Sequence, residues 1–136
     1  MFKNFILFFV IISLSCSNVE VGINKINTEK LIFILKTQDI QLIDVRRLGE
    51  YNHGHIEGAL NIDFYKPTFV DSVNKLDKSK LTVVYCKSGN RSNKSALIMD
   101  SLGFTEIYDF NKGMNGWLSS ENSIVRSDSL NWIFSY

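Results

Sequence analysis

Residues 81–92 read LTVVYCKSGNRS, a β-branched and aromatic run that ends in a cysteine, a glycine and two cations. The run predicts a buried strand over residues 81–85. The apolar spacing that follows predicts a helix over residues 92–102, so a short turn joins the two. Ligands of open α/β sheets bind beyond the carboxyl ends of the strands, and this turn is therefore the best candidate site in the chain.

Cys86 opens that turn. Successive backbone N–H groups around Gly89, together with the start of the following helix, favour an anion at this point. We expect these groups, with Arg91 and Lys87 nearby, to lower the pKa of the Cys86 thiol and so to favour the nucleophilic thiolate. The alternative is an inert buried cysteine at the end of a core strand.

Helix and strand patterns alternate on both sides of the turn. Apolar spacing predicts helices over residues 28–37 and 70–76, and short apolar runs predict strands over residues 41–45, 59–62 and 106–110. Strands separated by helices pair in parallel. The predicted fold is α/β, with a central parallel sheet and helices on both faces.

Composition agrees with a single folded domain. The chain has 136 residues, of which 45% are hydrophobic and 21% charged, and it contains one proline. These values suffice for one hydrophobic core and argue against a disordered or linker-rich chain. The formal net charge is +1 and no basic run is present, so we expect no nucleic-acid partner.

The N-terminal residues have the pattern of an export signal. Lys3 precedes an unbroken apolar run over residues 5–12, which is shorter than the roughly 20 residues that span a bilayer. Cys16, directly after this segment, resembles the lipid-attachment cysteine of bacterial lipoproteins; the alternative is cleavage near Ser15 and a soluble exported protein. We expect a location in the bacterial cell envelope, either periplasmic or anchored to a membrane through a lipid on Cys16.

The predicted organisation has four parts. They are a signal peptide over residues 1–16, a polar linker over residues 17–27, a folded domain over residues 28–120 and a C-terminal extension over residues 121–136. If Cys16 is lipidated or removed, Cys86 has no partner for an intramolecular disulfide.

Three motifs in order carry a resemblance to a known family. Cys-x-x-Gly-x-Arg-Ser at residues 86–92 is preceded by LIDVR at residues 42–46 and by EYNHGHIEGALNI at residues 50–62. Together they resemble the rhodanese family of sulfurtransferases. The resemblance implies that Cys86 takes the outer sulfur of a small-molecule donor such as thiosulfate, carries it as a persulfide and passes it to a thiol or cyanide acceptor. It implies no metal and no organic cofactor.

The resemblance also implies roles for the residues around Cys86. The substrate-binding positions, where backbone amides surround the sulfur, are Lys87, Ser88, Gly89, Asn90 and Arg91. Four residues separate Cys86 from Arg91, as in the sulfur-handling members, whereas related dual-specificity phosphatases have one more. Phosphatase or arsenate-reductase chemistry is therefore disfavoured.

Two residues near the end of the strand predicted over residues 41–45 are expected to have supporting roles. The resemblance implies that Asp44 pairs with Arg91 and holds the loop, with a surface salt bridge of little energetic consequence as the alternative. Arg46 is placed to lend positive charge to an anionic donor, with an exposed solubility charge as the alternative. His53 and His55 lack the third ligand that a zinc site needs, so we expect no metal there.

A second function stays open at this point. The chain would then be a non-catalytic, membrane-attached module that binds or senses sulfane sulfur without turnover.

Overall fold

Five parallel strands form the centre of the protein. In the computed structural model, which describes residues 22–127, the strands are β1 (Ile23–Ile26), β2 (Gln41–Asp44), β3 (Leu60–Asn61), β4 (Thr82–Tyr85) and β5 (Ile107–Phe110). Their order in the sheet is β1-β5-β4-β2-β3, and every neighbouring pair is parallel. The most buried strand, β4, lies in the middle and ends next to Cys86.

Helices cover both faces of this sheet. They are α1 (Thr28–Thr37), α2 (Leu48–His53), α3 (Phe69–Asn74), α4 (Asn90–Ser101) and α5 (Gly113–Ser119). Apolar side chains of α1 and α5 pack in one core cluster, and those of α3 and α4 pack in the other. The prediction of an α/β fold with a central parallel sheet and helices on both faces is confirmed.

The predicted polar linker is wrong for its last residues. Residues 23–26 form β1, which pairs with β5 along its whole length. This edge strand buries only Ile26, and Asn24 and Lys25 stand between its two isoleucines. β1 joins the sheet through backbone hydrogen bonds to β5. Backbone hydrogen bonds do not require a particular side-chain pattern, so the sequence does not reveal this strand.

The first part of the predicted C-terminal extension packs back on the domain. Val125 forms an antiparallel bridge with His55, and Ile124 packs against the α1–α5 core. The predicted signal peptide and Cys16 lie outside the described residues, as do residues 128–136. Within residues 22–127, no helix has the length and apolar character needed to cross a membrane.

Candidate active site

The loop after β4 has a backbone that only glycine adopts without strain. Gly89 has φ of +100° and immediately precedes α4. A side chain at this position would also collide with the backbone carbonyl of Asn111. The turn can therefore be this tight because residue 89 has no side chain.

This tight turn surrounds the sulfur of Cys86 with hydrogen-bond donors. The Gly89 N–H donates to Cys86 Sγ at 3.1 Å, and Ser92 Oγ lies 3.8 Å from the same sulfur. Burial raises the pKa of the Cys86 thiol, but the N–H groups of Ser92, Ser88 and Gly89 and the Ser92 hydroxyl together outweigh burial and lower it. The predicted lowering of the pKa is confirmed, and backbone N–H groups are its main source. Ser92, the last residue of the Cys-x-x-Gly-x-Arg-Ser motif, was not predicted to have a role at the sulfur.

Arg91 is held by a partner that the sequence analysis did not identify. Its Nη1 donates to Glu50 Oε2 at 2.7 Å and its Nη2 to Glu50 Oε1 at 2.9 Å. This two-point hydrogen bond, with help from the Arg47 N–H, lowers the pKa of Glu50 to about 2 against a smaller opposing effect of burial. The Arg91 charge acts on Cys86 as well, but less strongly than on Glu50. The predicted pairing of Arg91 with Asp44 is wrong.

Asp44 instead binds Arg46 at the end of β2. Its carboxylate accepts hydrogen bonds from the backbone N–H, Nε and Nη2 of Arg46, the last at 2.6 Å. Arg46 also donates to the carbonyl of Gly54 at 2.7 Å, and its side chain is only 7% exposed. The two residues thus hold the connection from β2 to α2. Because the Arg46 side chain is buried, the alternative of an exposed solubility charge is wrong for this residue.

The loop is also fixed from behind by α5. The N–H groups of Met114 and Asn115 donate to the carbonyls of Cys86 and Lys87 at 2.9 and 3.0 Å. Gly113 makes this approach possible, because its φ is +55° and a side chain there would collide with the Cys86 carbonyl. These contacts from α5 hold the carbonyl groups of the loop, while the Gly89 N–H group of the same loop points toward the Cys86 sulfur.

A cleft borders the loop at Lys87. It has a volume of about 390 Å³ and is lined by α2 on one side, including Glu50 and His53, and by Met114 and Leu118 of α5 on the other. Among the predicted substrate-binding residues, Lys87, Ser88 and Asn90 are exposed, whereas Gly89 and Arg91 are half-buried. The cleft gives a small molecule room beside the exposed part of the loop.

The histidines that precede this loop have structural contacts. The His55 ring stacks on Tyr51, with 3.7 Å between ring centroids, and its Nδ1 lies 2.9 Å from the Tyr51 carbonyl. His53 Nδ1 lies 3.1 Å from the carbonyl of Gly49. Across residues 22–127, no group of three or more His, Cys, Asp or Glu side chains is arranged to hold a metal ion.

Curated proteins similar to this chain include thiosulfate sulfurtransferases and tRNA uridine(34) hydroxylases. Thiosulfate sulfurtransferase GlpE of Pseudomonas fluorescens is 30% identical over 93 residues, which are 68% of this chain and 84% of that protein. The tRNA uridine(34) hydroxylase of Ehrlichia chaffeensis is 29% identical over 104 residues, which are 70% of this chain but only 38% of the hydroxylase. The similarity therefore covers only a part of the hydroxylase.

Solved structures and the family comparison agree on the domain. A rhodanese-like domain protein from Staphylococcus aureus has a TM-score of 0.63 and 27% identity, with 70% of this chain and 91% of that one covered. A human single-domain sulfurtransferase has a TM-score of 0.64 at 23% identity, with 74% and 100% covered, which shows a shared fold. The family of rhodanese-like domains matches residues 27–120. This chain belongs to the rhodanese-like domain family.

Proposed function

We propose that the protein is an exported sulfurtransferase that moves sulfane sulfur from thiosulfate to a thiol or cyanide through a persulfide on Cys86. Family membership and the thiosulfate sulfurtransferase relatives support a sulfurtransferase-type enzyme. The observation that carries the proposal is the ring of N–H groups that lowers the pKa of Cys86. Such a ring stabilises an anionic sulfur without having to reorient during the reaction.

The first half-reaction loads the sulfur. The Cys86 thiolate attacks the outer sulfur of thiosulfate, a bond from Sγ to that sulfur forms, and the sulfur–sulfur bond of thiosulfate breaks. Sulfite leaves with the electron pair of the broken bond. The product is a persulfide anion, and the preorganised N–H groups of the loop stabilise its charge in place of the original thiolate.

The second half-reaction transfers the sulfur from the Cys86 persulfide to the acceptor. A thiolate or cyanide attacks the terminal sulfur of the persulfide, and Cys86 leaves as the thiolate, which is a good leaving group because its pKa is lowered. The cleft beside Lys87 supplies room for a small acceptor. Arg91 and Glu50 keep the loop in place through both steps.

Intact mass spectrometry tests the chemistry. We expect the protein to gain the mass of one sulfur atom after incubation with thiosulfate, and the Cys86→Ser variant to gain nothing. Addition of cyanide should return the mass to its starting value and produce thiocyanate over many turnovers. A single loading without continued sulfite release would support the sulfur-binding module instead. If incubation with thiosulfate adds no sulfur while iodoacetamide still alkylates Cys86 freely, the proposal that thiosulfate is the donor is contradicted.

Export is the second part of the proposal. It rests on the apolar run and on Cys16, which would carry a lipid in the cell envelope. Fractionation of a bacterial host that expresses the full chain tests it: the protein should be found with the membranes, and Cys16→Ala should release it. An unprocessed protein in the cytosolic fraction would contradict export.

A further inference from the structure

The cleft beside Lys87 is larger than an inorganic acceptor requires. Its volume of about 390 Å³ lies within the range of sites that bind organic molecules, roughly 300–1,000 Å³. Cyanide has only a carbon and a nitrogen atom and would leave most of this space to water. The cleft therefore fits an acceptor that has several carbon atoms in addition to its thiol.

One wall of the cleft is apolar and comes from α5. Met114 is almost completely buried, whereas Leu118, one helical turn further along, is 50% exposed and lines the cleft. A single exposed leucine is ordinary on a protein surface, and its position in a cleft is what gives it a use. A carbon chain that packs on Leu118 would remove apolar surface of both partners from water, which is favourable.

Among the described residues, three charged side chains line the cleft, and two of them have partners. Arg46 binds the Asp44 carboxylate, and the Glu50 carboxylate binds Arg91. Lys87 is exposed, and in the described part of the chain no carboxylate lies within salt-bridge distance of its ammonium group. The cleft thus has one uncompensated positive charge beside its apolar wall, and this charge would attract an anionic group.

The cleft also borders the loop that carries the reacting sulfur. Lys87 directly follows Cys86, and the Met114 N–H group donates to the Cys86 carbonyl at 2.9 Å. On the α2 side, Glu50 holds Arg91 at the other end of the loop. A molecule in the cleft therefore lies next to the loop on which the persulfide would be carried.

We propose that this cleft binds the sulfur acceptor, and that the preferred acceptor is an aliphatic thiol with a terminal carboxylate, whose carbon chain packs on Leu118 and whose carboxylate lies near Lys87. The acceptor thiolate attacks the terminal sulfur of the Cys86 persulfide, and a bond between these two sulfur atoms forms. The bond from the terminal sulfur to Cys86 Sγ breaks, and its electron pair stays on Sγ. The acceptor leaves as an alkyl persulfide, with any proton of the terminal sulfur. The inference rests on the proposed function for the persulfide and adds the class of acceptor.

Three thiols test the two properties of the acceptor separately. 6-Mercaptohexanoate has the long chain and the carboxylate, 3-mercaptopropionate has the same charge on a shorter chain, and 6-aminohexane-1-thiol has a similar length with the opposite charge. Each is added at equal thiolate concentration to sulfur-loaded protein, and the loss of the persulfide mass is followed. We expect the rate constant for 6-mercaptohexanoate to exceed that for 3-mercaptopropionate about fivefold and that for the amine about threefold. Equal rate constants in either comparison would overturn the proposal.

Leu118→Gln and Leu97→Gln test the apolar wall as a matched pair. Both leucines lie on helices and are similarly exposed, at 50% and 55%, but Leu97 on α4 does not line the cleft. Glutamine has a helix propensity close to that of leucine. We expect Leu118→Gln to reduce the preference for the long over the short carboxylate to less than about twofold, and Leu97→Gln to keep it at about fivefold. An unchanged preference in Leu118→Gln would overturn the proposal.

Lys87→Gln and Lys94→Gln test the charge in the same way. Both lysines are exposed, and each substitution removes one positive charge, but Lys94 on α4 does not line the cleft. We expect Lys87→Gln to abolish the preference for 6-mercaptohexanoate over 6-aminohexane-1-thiol and Lys94→Gln to retain it. Retention of this preference in Lys87→Gln would overturn the proposal.

Protection of the unloaded Cys86 gives a readout that needs no sulfur donor. Hexanoate has the chain and the carboxylate but no thiol, and we expect it to slow alkylation by iodoacetamide at concentrations about fivefold lower than acetate or hexylamine require. An equal effect of the three compounds would overturn the proposal, whatever the sulfur-loading experiment shows. Protection by hexanoate without any sulfur loading would support the binding of an aliphatic carboxylate in the cleft and contradict the proposed function instead.

Discussion

Replacement of Glu50 by Gln removes one charge from the Glu50–Arg91 pair, which holds the loop between β4 and α4. The pair joins α2 to the start of α4 through two hydrogen bonds of 2.7 and 2.9 Å. A Glu50 pKa of about 2 in place of 4.5 corresponds to roughly 3 kcal/mol of preference for the charged form. Because 32% of the Glu50 side chain is exposed, solvent screening reduces this value, and we expect Glu50→Gln to lose about 1–2 kcal/mol of stability.

The loss of stability in Glu50→Gln should depend on pH in the way expected for the Glu50–Arg91 pair. The folded protein lowers the pKa of Glu50, so the stabilisation is complete well above pH 4.5 and disappears as the pH falls toward about 2. Urea unfolding of the wild type and of Glu50→Gln should therefore show the full difference at neutral pH and a closing difference below about pH 4.5.

Asp39→Asn is the matched control. Asp39 pairs with Lys80 at 2.8 Å, but its side chain is 89% exposed, so its removal should leave the free energy of unfolding unchanged within error. A difference between wild type and Glu50→Gln that stays constant from neutral pH to about pH 2.5, or no difference at all, would refute the assignment of the stabilisation to the Glu50 charge.

Three further substitutions have definite expected outcomes. Gly113→Ala should lower stability by about 1–3 kcal/mol and slow sulfur loading in the mass assay, because a side chain at φ of +55° collides with the Cys86 carbonyl; normal loading would contradict this. Asp44→Asn should cost about 3–5 kcal/mol in urea unfolding, since it leaves the Arg46 charge buried without its partner; a loss below about 1 kcal/mol would show that water reaches Arg46. Asp109→Asn should become more stable than the wild type as the pH rises above about 4, because burial raises the pKa of this acid and its ionisation destabilises the folded state; parallel stability curves would contradict that.

Local patterns were sufficient to predict most of the sheet and the position of Cys86 at the end of its central strand. The β-branched run before Cys86 predicted β4, and the alternation of strands and helices predicted parallel pairing. The glycine and the helix start predicted a loop of N–H groups, which lowers the pKa of Cys86 as expected. These features depend on residues close together in the chain, where hydrophobic periodicity and turn chemistry act.

The short helices were harder to predict. Neither α2 nor α5 was predicted, because each has fewer than two full turns and too few apolar residues to show a period. Both matter for the site: α2 positions Glu50 against Arg91, and α5 binds the loop carbonyls. The edge strand β1 was missed for a similar reason, since it buries only one side chain.

Local sequence patterns predicted the parallel α/β fold, the place of Cys86 after β4 and the length of its loop. Which acid binds which cation became evident only from the folded structure. Asp44 is two residues from Arg46 and binds it, while Glu50 is 41 residues from Arg91 and reaches it across the packed elements. The same packing brought the Asp109 carboxyl group near the side chains of Ser92 and Asn93. Spacing along a chain specifies secondary structure, but the pairing of long polar side chains depends on distances that exist only after the helices have packed on the sheet.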